Sequence, residues 1–388
     1  MNLDHIFEAA GLLCAGLACG SVGYYILCLW SAVTFLRERQ SLDARPTGLP
    51  PVSILKPLKG TDPEMYESFR SHCRQDYPEY EIVFGVSDAD DPAMAQVRRL
   101  QEEFPAIPIR LMVCDRSLGA NTKVSNLAQM LLAARHDILI VNDSDIRVGV
   151  DYLRQVVLPL MEPGVGMVTC LYRGIAAPTL GSKLEAIGIS TDFIPGVLAA
   201  RQLQGMHFAL GSTMAFRRQD LQEIGGFEAF ADCLADDYEL GSRLAGLGKR
   251  IRLSPAVVET FLPAYSLRQF VQHQLRWART IRDARPAGYW GVAVTFGLIW
   301  ACLSCIFSGA ATWSWALLII VAAARAAVAW TVGDFLLNDR QIAPQLALIP
   351  LRDLLGLTIW CASFTGRTVW WRGQRFSLKR GKLTALKP

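Results

Sequence analysis

Two aspartates one residue apart, Asp143 and Asp145, close a short apolar run in the stretch Leu-Ile-Val-Asn-Asp-Ser-Asp-Ile-Arg at 139–147. Paired hard oxygen donors suit Mg2+ or Mn2+, cations that keep waters and take substrate phosphates as further ligands. The same pattern also fits a polar turn in which Asp143 caps a following helix. A second acidic pair, Asp236 and Asp237, opens a stretch that reads as a helix to about Ala245. Carboxylates in a first helical turn complement the helix dipole, a sufficient structural reason for them. Chemically, either could take a proton from an attacking hydroxyl. Asp88 follows another apolar run and opens Asp-Ala-Asp-Asp-Pro. Lys123 follows a Gly-Ala-Asn turn and reads either as a phosphate ligand or as a solvated residue near a helix start. Arg276 and Trp277 are neighbours: guanidinium matches phosphate, and an indole could floor an apolar acceptor site. The pair fits equally a helix surface at a membrane interface. Separated acidic sites in a globular region tied to a membrane point to a nucleotide-diphosphate substrate, whose departing charge a metal would neutralise.

The elements that must position these residues alternate. Strands are expected within 51–60, broken by Pro57, and at Glu81–Ser87, Ile109–Val113 and Ile138–Val141. Helices are expected over Pro63–Cys73, Pro92–Glu103 and Lys123–Ala134. That order predicts a largely parallel sheet flanked by helices. The strand ends would gather Asp88, Asp143 and Asp145 at one rim, where open α/β sheets bind ligands. Further on, strands are expected over Gly164–Leu171 and Ala209–Phe216, and a polar helix over Gln269–Arg285 carries His273, Arg276 and Trp277.

The 388 residues are 52% hydrophobic and 19% charged, with mean hydropathy +0.25, too apolar for an ordinary soluble chain. The expected organisation is an N-terminal transmembrane anchor at 1–39, a polar linker at 40–50 and a globular region at 51–286. Membrane or interfacial helices follow at 287–366, and a basic tail at 367–388. Ala9–Leu36 is long enough to span and is followed by Arg37 and Arg39, which places the globular region in the cytoplasm. Ala287–Ala311 and Trp313–Val332 read as spans, and Arg325 in the second should face protein or water. The segment 342–365, broken by Pro344, Pro350 and Arg352-Asp353, reads as interfacial, since a third C-terminal span would carry the basic tail outside. That tail meets anionic lipid headgroups more simply than nucleic acid. Of the ten cysteines, Cys14, Cys19, Cys28, Cys302, Cys305 and Cys361 read as small buried hydrophobes. No disulfide framework is expected, which suits a reducing compartment.

The ordered set of motifs resembles the lipid-directed family 2/21 glycosyltransferases, and specifically the ceramide glucosyltransferase family. It runs through Lys56-Pro-Leu-Lys-Gly-Thr-Asp-Pro63, Asp76–Glu81, Asp88–Pro92, Asn121–Asn126, Asp143–Arg147, Asp236-Asp-Tyr238, Arg276-Trp277 and Trp371–Arg375. The resemblance implies an α/β GT-A domain (Rossmann-like) with transmembrane helices, and inverting transfer from a UDP-sugar to a lipid hydroxyl. It implies that Asp88 contacts the nucleotide, that Asp143 lies at the metal and diphosphate, that Asp237 is the base, and that Arg276 and Trp277 fill the last motif positions. The family's Gln or Arg before that arginine is His273 here, and Asp145 restores a DxD spacing. The Ala-rich style and the run 350–356 look like the bacterial hopanoid-associated branch, which implies N-acetylglucosamine transfer to bacteriohopanetetrol at the bacterial cell membrane. The alternative is UDP-glucose to ceramide. A processive polysaccharide synthase needs more spans than are seen here, and intact aspartates argue against a non-catalytic scaffold.

Overall fold

The computed structural model describes residues 3–40, 48–371 and 374–386. Residues 41–47 of the expected linker, Arg372 and Gly373 of the tail motif, and Lys387 lie outside them. The chain forms two compact units. A sheet unit comprises Leu42–Ala177, Gln204–Pro263 and Phe376–Pro388, and a helical unit comprises Met1–Ser41, Pro178–Leu203 and Ala264–Arg375. The helices Leu180–Gly188 and Leu267–Ala284, inside the stretch expected to be globular, fall in the helical unit.

The sheet unit is built on β1 (Val52–Leu58), β2 (Tyr80–Val86), β3 (Ile109–Val113), β4 (Ile138–Val141), β5 (Ile146–Arg147), β6 (Val165–Ile175), β7 (Met214–Arg217) and β8 (Arg250–Phe261). Their order is β3-β2-β1-β4-β7-β6-β8-β5. The pairs β1–β2, β1–β4, β2–β3 and β6–β8 are parallel. β7 runs against both β4 and β6, and β5 runs against β8. The expected helix-flanked, largely parallel sheet is therefore present. β1, β2 and β4 are buried along their whole lengths. Strands covered on both faces must be apolar throughout, and the Ile-Leu-Ile-Val of β4 meets that demand.

Pro57 does not break β1, contrary to expectation. β4 accompanies β1 only from Val52 to Leu55, while β2 continues to Leu58. Pro57 therefore sits where β1 has a strand neighbour on one side only, a position that tolerates a missing N–H. β1, β2 and β4 run in parallel, so their C-terminal ends share one edge. That edge carries the residues following Leu58, Val86 and Val141.

Among the described residues of the helical unit, three helices are long and apolar enough to cross a membrane: His5–Arg39, Thr312–Leu336 and Ile342–Ser363. The stretch expected to span at 287–311 holds a bent pair of helices, Pro286–Thr295 and Gly297–Phe307, with 61° between its halves. The segment 342–365, expected to be interfacial, contains one of the three long helices. Arg325 faces protein, as expected: it is buried and donates to both Asp353 carboxylate oxygens at 3.2 and 2.9 Å, to the Thr191 carbonyl at 2.9 Å, and to Asp192. All ten cysteines are free, but of the six expected to be buried only Cys14, Cys28 and Cys305 are; Cys19, Cys302 and Cys361 are exposed. Their helices present apolar side chains outward, so an apolar neighbourhood in sequence does not mean burial here.

Candidate active site

The turn after β4 is fixed from below by Asn142, whose side chain is fully buried. Its Nδ2 donates to the Ser212 carbonyl at 2.7 Å, to Tyr152 Oη at 3.0 Å and to Thr213 Oγ1 at 3.1 Å. No helix follows Asp143. The chain turns through Ser144 and Asp145 directly into β5, so Asp143 is no helix cap. Its Oδ1 instead pairs with Lys123 Nζ at 2.9 Å.

Lys123 is placed by helix Thr122–Met130, which Asn121 caps by accepting from Val124 N at 3.3 Å. The same ammonium lies 3.2 Å from Asp236 Oδ2. Lys123 thus joins the two acidic sites that the sequence presents 93 residues apart. Both aspartates raise its pKa against the opposing effect of burial. Of the two readings of Lys123, the solvated one fails.

Asp236 and Asp237 stand in the first turn of helix Asp236–Gly246, where the dipole favours them. Asp237 Oδ1 accepts from Tyr238 N at 2.8 Å. Burial and the Asp236 charge raise the Asp237 pKa above the usual carboxylate range. Gly211 shows where the free oxygens point. A Cβ at this position would stand 3.1 Å from Asp237 Oδ2 and 3.6 Å from Asp143 Oδ2. The two carboxylates therefore converge on one small space, left open by the absence of a side chain.

Asp145 is turned another way, accepting from Thr260 Oγ1. Burial and then the Asp143 charge push its pKa up to about 7, against the Thr260 hydrogen bond. Beneath the turn lies Lys56, a fully buried lysine in β1, which donates to the Asp143 carbonyl at 3.0 Å. Burial lowers its pKa to about 7, and Asp145 and Asp143 oppose the shift. Ser144 Oγ donates to Asp62. Asp88 stands at the end of β2 on the same sheet edge, exposed, with Oδ1 accepting from Asp90 N at 3.0 Å. That contact is local and leaves its second oxygen available. Among the described residues no group of three or more His, Cys, Asp or Glu side chains is arranged to hold a metal. The donors at hand are one or two carboxylates at the β4 turn, which matches a cation that completes its shell with substrate oxygens and waters.

His273, Arg276 and Trp277 lie on helix Leu267–Ala284 of the helical unit. His273 Nδ1 is 3.3 Å from the buried Glu185 carboxylate, and its ring stacks on Tyr265 at 5.5 Å. Trp277 packs its edge against Phe193 at 5.7 Å. The sequence reading missed Lys56, Asn142, Gly211, Thr260 and Glu185. Only Lys56 left a signal: a charged residue inside a strand otherwise made for burial.

The chain matches Glycosyl transferase family 21 over residues 13–384. It is 26% identical over 252 residues to Ceramide glucosyltransferase 1 of Caenorhabditis elegans, covering 65% of this chain and 54% of that protein. It is 33% identical over 134 residues to a ceramide glucosyltransferase of Komagataella phaffii, covering 32% of this chain and 26% of that one. The chain thus spans about half the length of the first relative and less of the second. In fold it is similar to a mannosyltransferase of Pyrobaculum calidifontis solved with GDP-Man and Mn2+, with TM-score 0.50, 19% identity, and 90% and 99% of the two chains covered. These relatives support the ceramide expectation and lend none to the hopanoid branch. Because the family match runs through both compact units, the chain belongs to glycosyl transferase family 21.

Proposed function

We propose that this protein is a membrane-bound inverting glycosyltransferase that moves glucose from UDP-glucose to the primary hydroxyl of a ceramide-type lipid. The observation that carries it is the convergence of Asp143 Oδ2 and Asp237 Oδ2 on the space at Gly211, with Lys123 bridging Asp143 to Asp236. A site that transfers sugar from a nucleotide needs an anion-handling side and a proton-accepting side facing one space, and this arrangement is consistent with both. Asp237 takes the proton of the lipid hydroxyl as its oxygen bonds to the anomeric carbon. The bond from that carbon to the β-phosphate oxygen breaks, and UDP leaves from the opposite face. Asp143 would hold a divalent cation at the β4 turn, and Asp145 would join it only by leaving its hydrogen bond to Thr260. When bound, the cation neutralises charge on the departing group. Lys123 adds a fixed positive charge there, and Asp88 contacts the nucleotide. Arg37 and Arg39 in the last turn of the first long helix favour the cytoplasmic side for the sheet unit.

The ceramide acceptor takes precedence over bacteriohopanetetrol because the relatives are named for ceramide. The base assignment is tested by Asp237→Asn. Transfer should fall about 10²- to 10⁴-fold while UDP binding, measured by calorimetry, stays unchanged. Wild-type turnover in that variant would remove Asp237 from the role.

A further inference from the structure

The last described residues form a β-hairpin, Gln374–Lys379 and Lys382–Ala385, with Leu378 opposite Leu383. Its turn uses Arg380 and Gly381, both with positive φ, and glycine takes that conformation without strain. Phe376, Leu378 and Leu383 alternate with polar residues and are buried, so the hairpin has one packed face. It belongs to the sheet unit and bonds to the segment just before the acidic helix. Leu383 N donates to the Asp232 carbonyl at 2.9 Å, Leu234 N donates to the Gly381 carbonyl at 3.1 Å, and Cys233 pairs with Lys382 as an antiparallel bridge.

The same segment is held on its other side by the turn before Lys123. Asn121 N donates to the Ala231 carbonyl at 2.7 Å, Asn121 Nδ2 to the Cys233 carbonyl at 2.8 Å, and Ala120 N to Asp232 Oδ1 at 2.9 Å. The approach is close enough that a Cβ on Gly119 would meet the Ala231 carbonyl oxygen at 2.5 Å. Residues 231–234 are thus bonded from two sides, and Asp236 begins two residues later. Without the hairpin, the Asp232 carbonyl and the Leu234 N–H lose their partners, and one side of the segment is released.

We infer that the C-terminal hairpin is a positioning strap for the Asp236–Asp237 turn, required for turnover rather than for donor binding. It acts through the backbone of residues 232–234, keeping Asp236 against Lys123 and Asp237 aimed at Gly211. Asp143 and Asp88, the donor-side groups, follow β4 and β2 and make no direct bond to residues 231–234; Asp143 meets this segment only indirectly, through Lys123 and Asp236. The inference rests on the reading of Asp237 as base.

The test compares two variants of the purified membrane protein: a chain ending at Arg375, and full-length Leu383→Pro, which removes one N–H of the strap. Both should lower kcat about a hundredfold, the scale of a 1 Å misplacement, with the Kd for UDP unchanged. A synthetic peptide of residues 374–388 should restore turnover to the shortened chain, and Leu383→Ile should behave as wild type. Wild-type kcat in both variants would overturn the strap. So would loss of UDP binding in step with kcat, which marks a merely structural hairpin. Wild-type turnover in Asp237→Asn removes the base assignment alone, since the hairpin's effect on kcat is measured separately.

Discussion

At the scale of residues, the site is a balance of charges around a missing side chain. Gly211 has Asp237 Oδ2 at 3.1 Å and Asp143 Oδ2 at 3.6 Å from where a Cβ would stand. Gly211→Ala should therefore displace the Asp237 carboxylate by a few tenths of an ångström and lower kcat about tenfold or more. Steady-state kinetics on the folded variant check this, and an unchanged kcat would mean that the space is not used. Asp143→Ala should weaken Mn2+-dependent UDP binding, measured by titrating UDP with and without the metal. The Asp237 pKa is raised by burial and by Asp236. A base works only when deprotonated, so transfer should fall as pH drops through that raised pKa. The acid limb of the pH–rate profile should thus lie above the ordinary carboxylate value of about 4. The acidic residues and Lys123 were legible in the sequence because their types alone suggest chemistry. Asn142, Gly211 and Thr260 were not, because each acts through contacts distant in the chain (Asn142 with Ser212 and Thr213, Gly211 with Asp143 and Asp237, Thr260 with Asp145) that no local pattern announces.

At the scale of elements, the helix Thr122–Met130 and the turn before it tie the two acidic sites together. Asn121 both caps that helix and donates to the Cys233 carbonyl at 2.8 Å. Asn121→Ala should cost about 1 kcal/mol from the cap alone, read as a lower denaturation midpoint of the detergent-solubilised protein. No change in midpoint would show that the cap is replaced. β3 and β4 have the bounds expected from sequence, since short apolar runs between turns leave few alternatives. β5 has two residues, too few for any periodicity. β8 was missed although it alternates between buried and half-buried positions, because Pro255 and the charged Arg250, Arg252 and Glu259 interrupt its apolar pattern. The strand exists because nine residues of β6 pair with it in parallel. Pairing of that kind is a tertiary fact.

At the scale of the whole molecule, the tail decides the topology. Residues 376–386 bond to residues 232–234, so the chain must return to the side of the membrane on which the sheet unit lies. Between Ala264 and Phe376 it must cross an even number of times. The helix Thr312–Leu336 is long and apolar enough for one crossing, and Ile342–Ser363 and the bent pair at 286–307 are the candidates for the other. The second half of the bent pair runs back along the first long helix: Ser304 Oγ donates to the Gly11 carbonyl at 3.3 Å and the Phe307 ring lies 5.9 Å from that of Phe7, which favours the bent pair for the second crossing. The sequence alone suggested crossings at 287–311 and 313–332, and the 61° bend inside the first is a feature that hydropathy does not see. In a cysteine-free background, Ser308→Cys should react with an impermeant maleimide from the outer face, and Arg340→Cys should not. The reverse result would put Ile342–Ser363 across the membrane in place of the bent pair.

The central claim is the transfer itself, and the most direct measurement is a product assay on the detergent-purified full chain. UDP-glucose and UDP-N-acetylglucosamine are offered separately, each with ceramide or bacteriohopanetetrol, with and without Mn2+, and products are read by mass spectrometry. The account predicts glucosylceramide from UDP-glucose, dependent on the metal and absent in Asp237→Asn. An N-acetylglucosaminyl hopanoid without glucosylceramide, or no glycolipid from any pair, would contradict it.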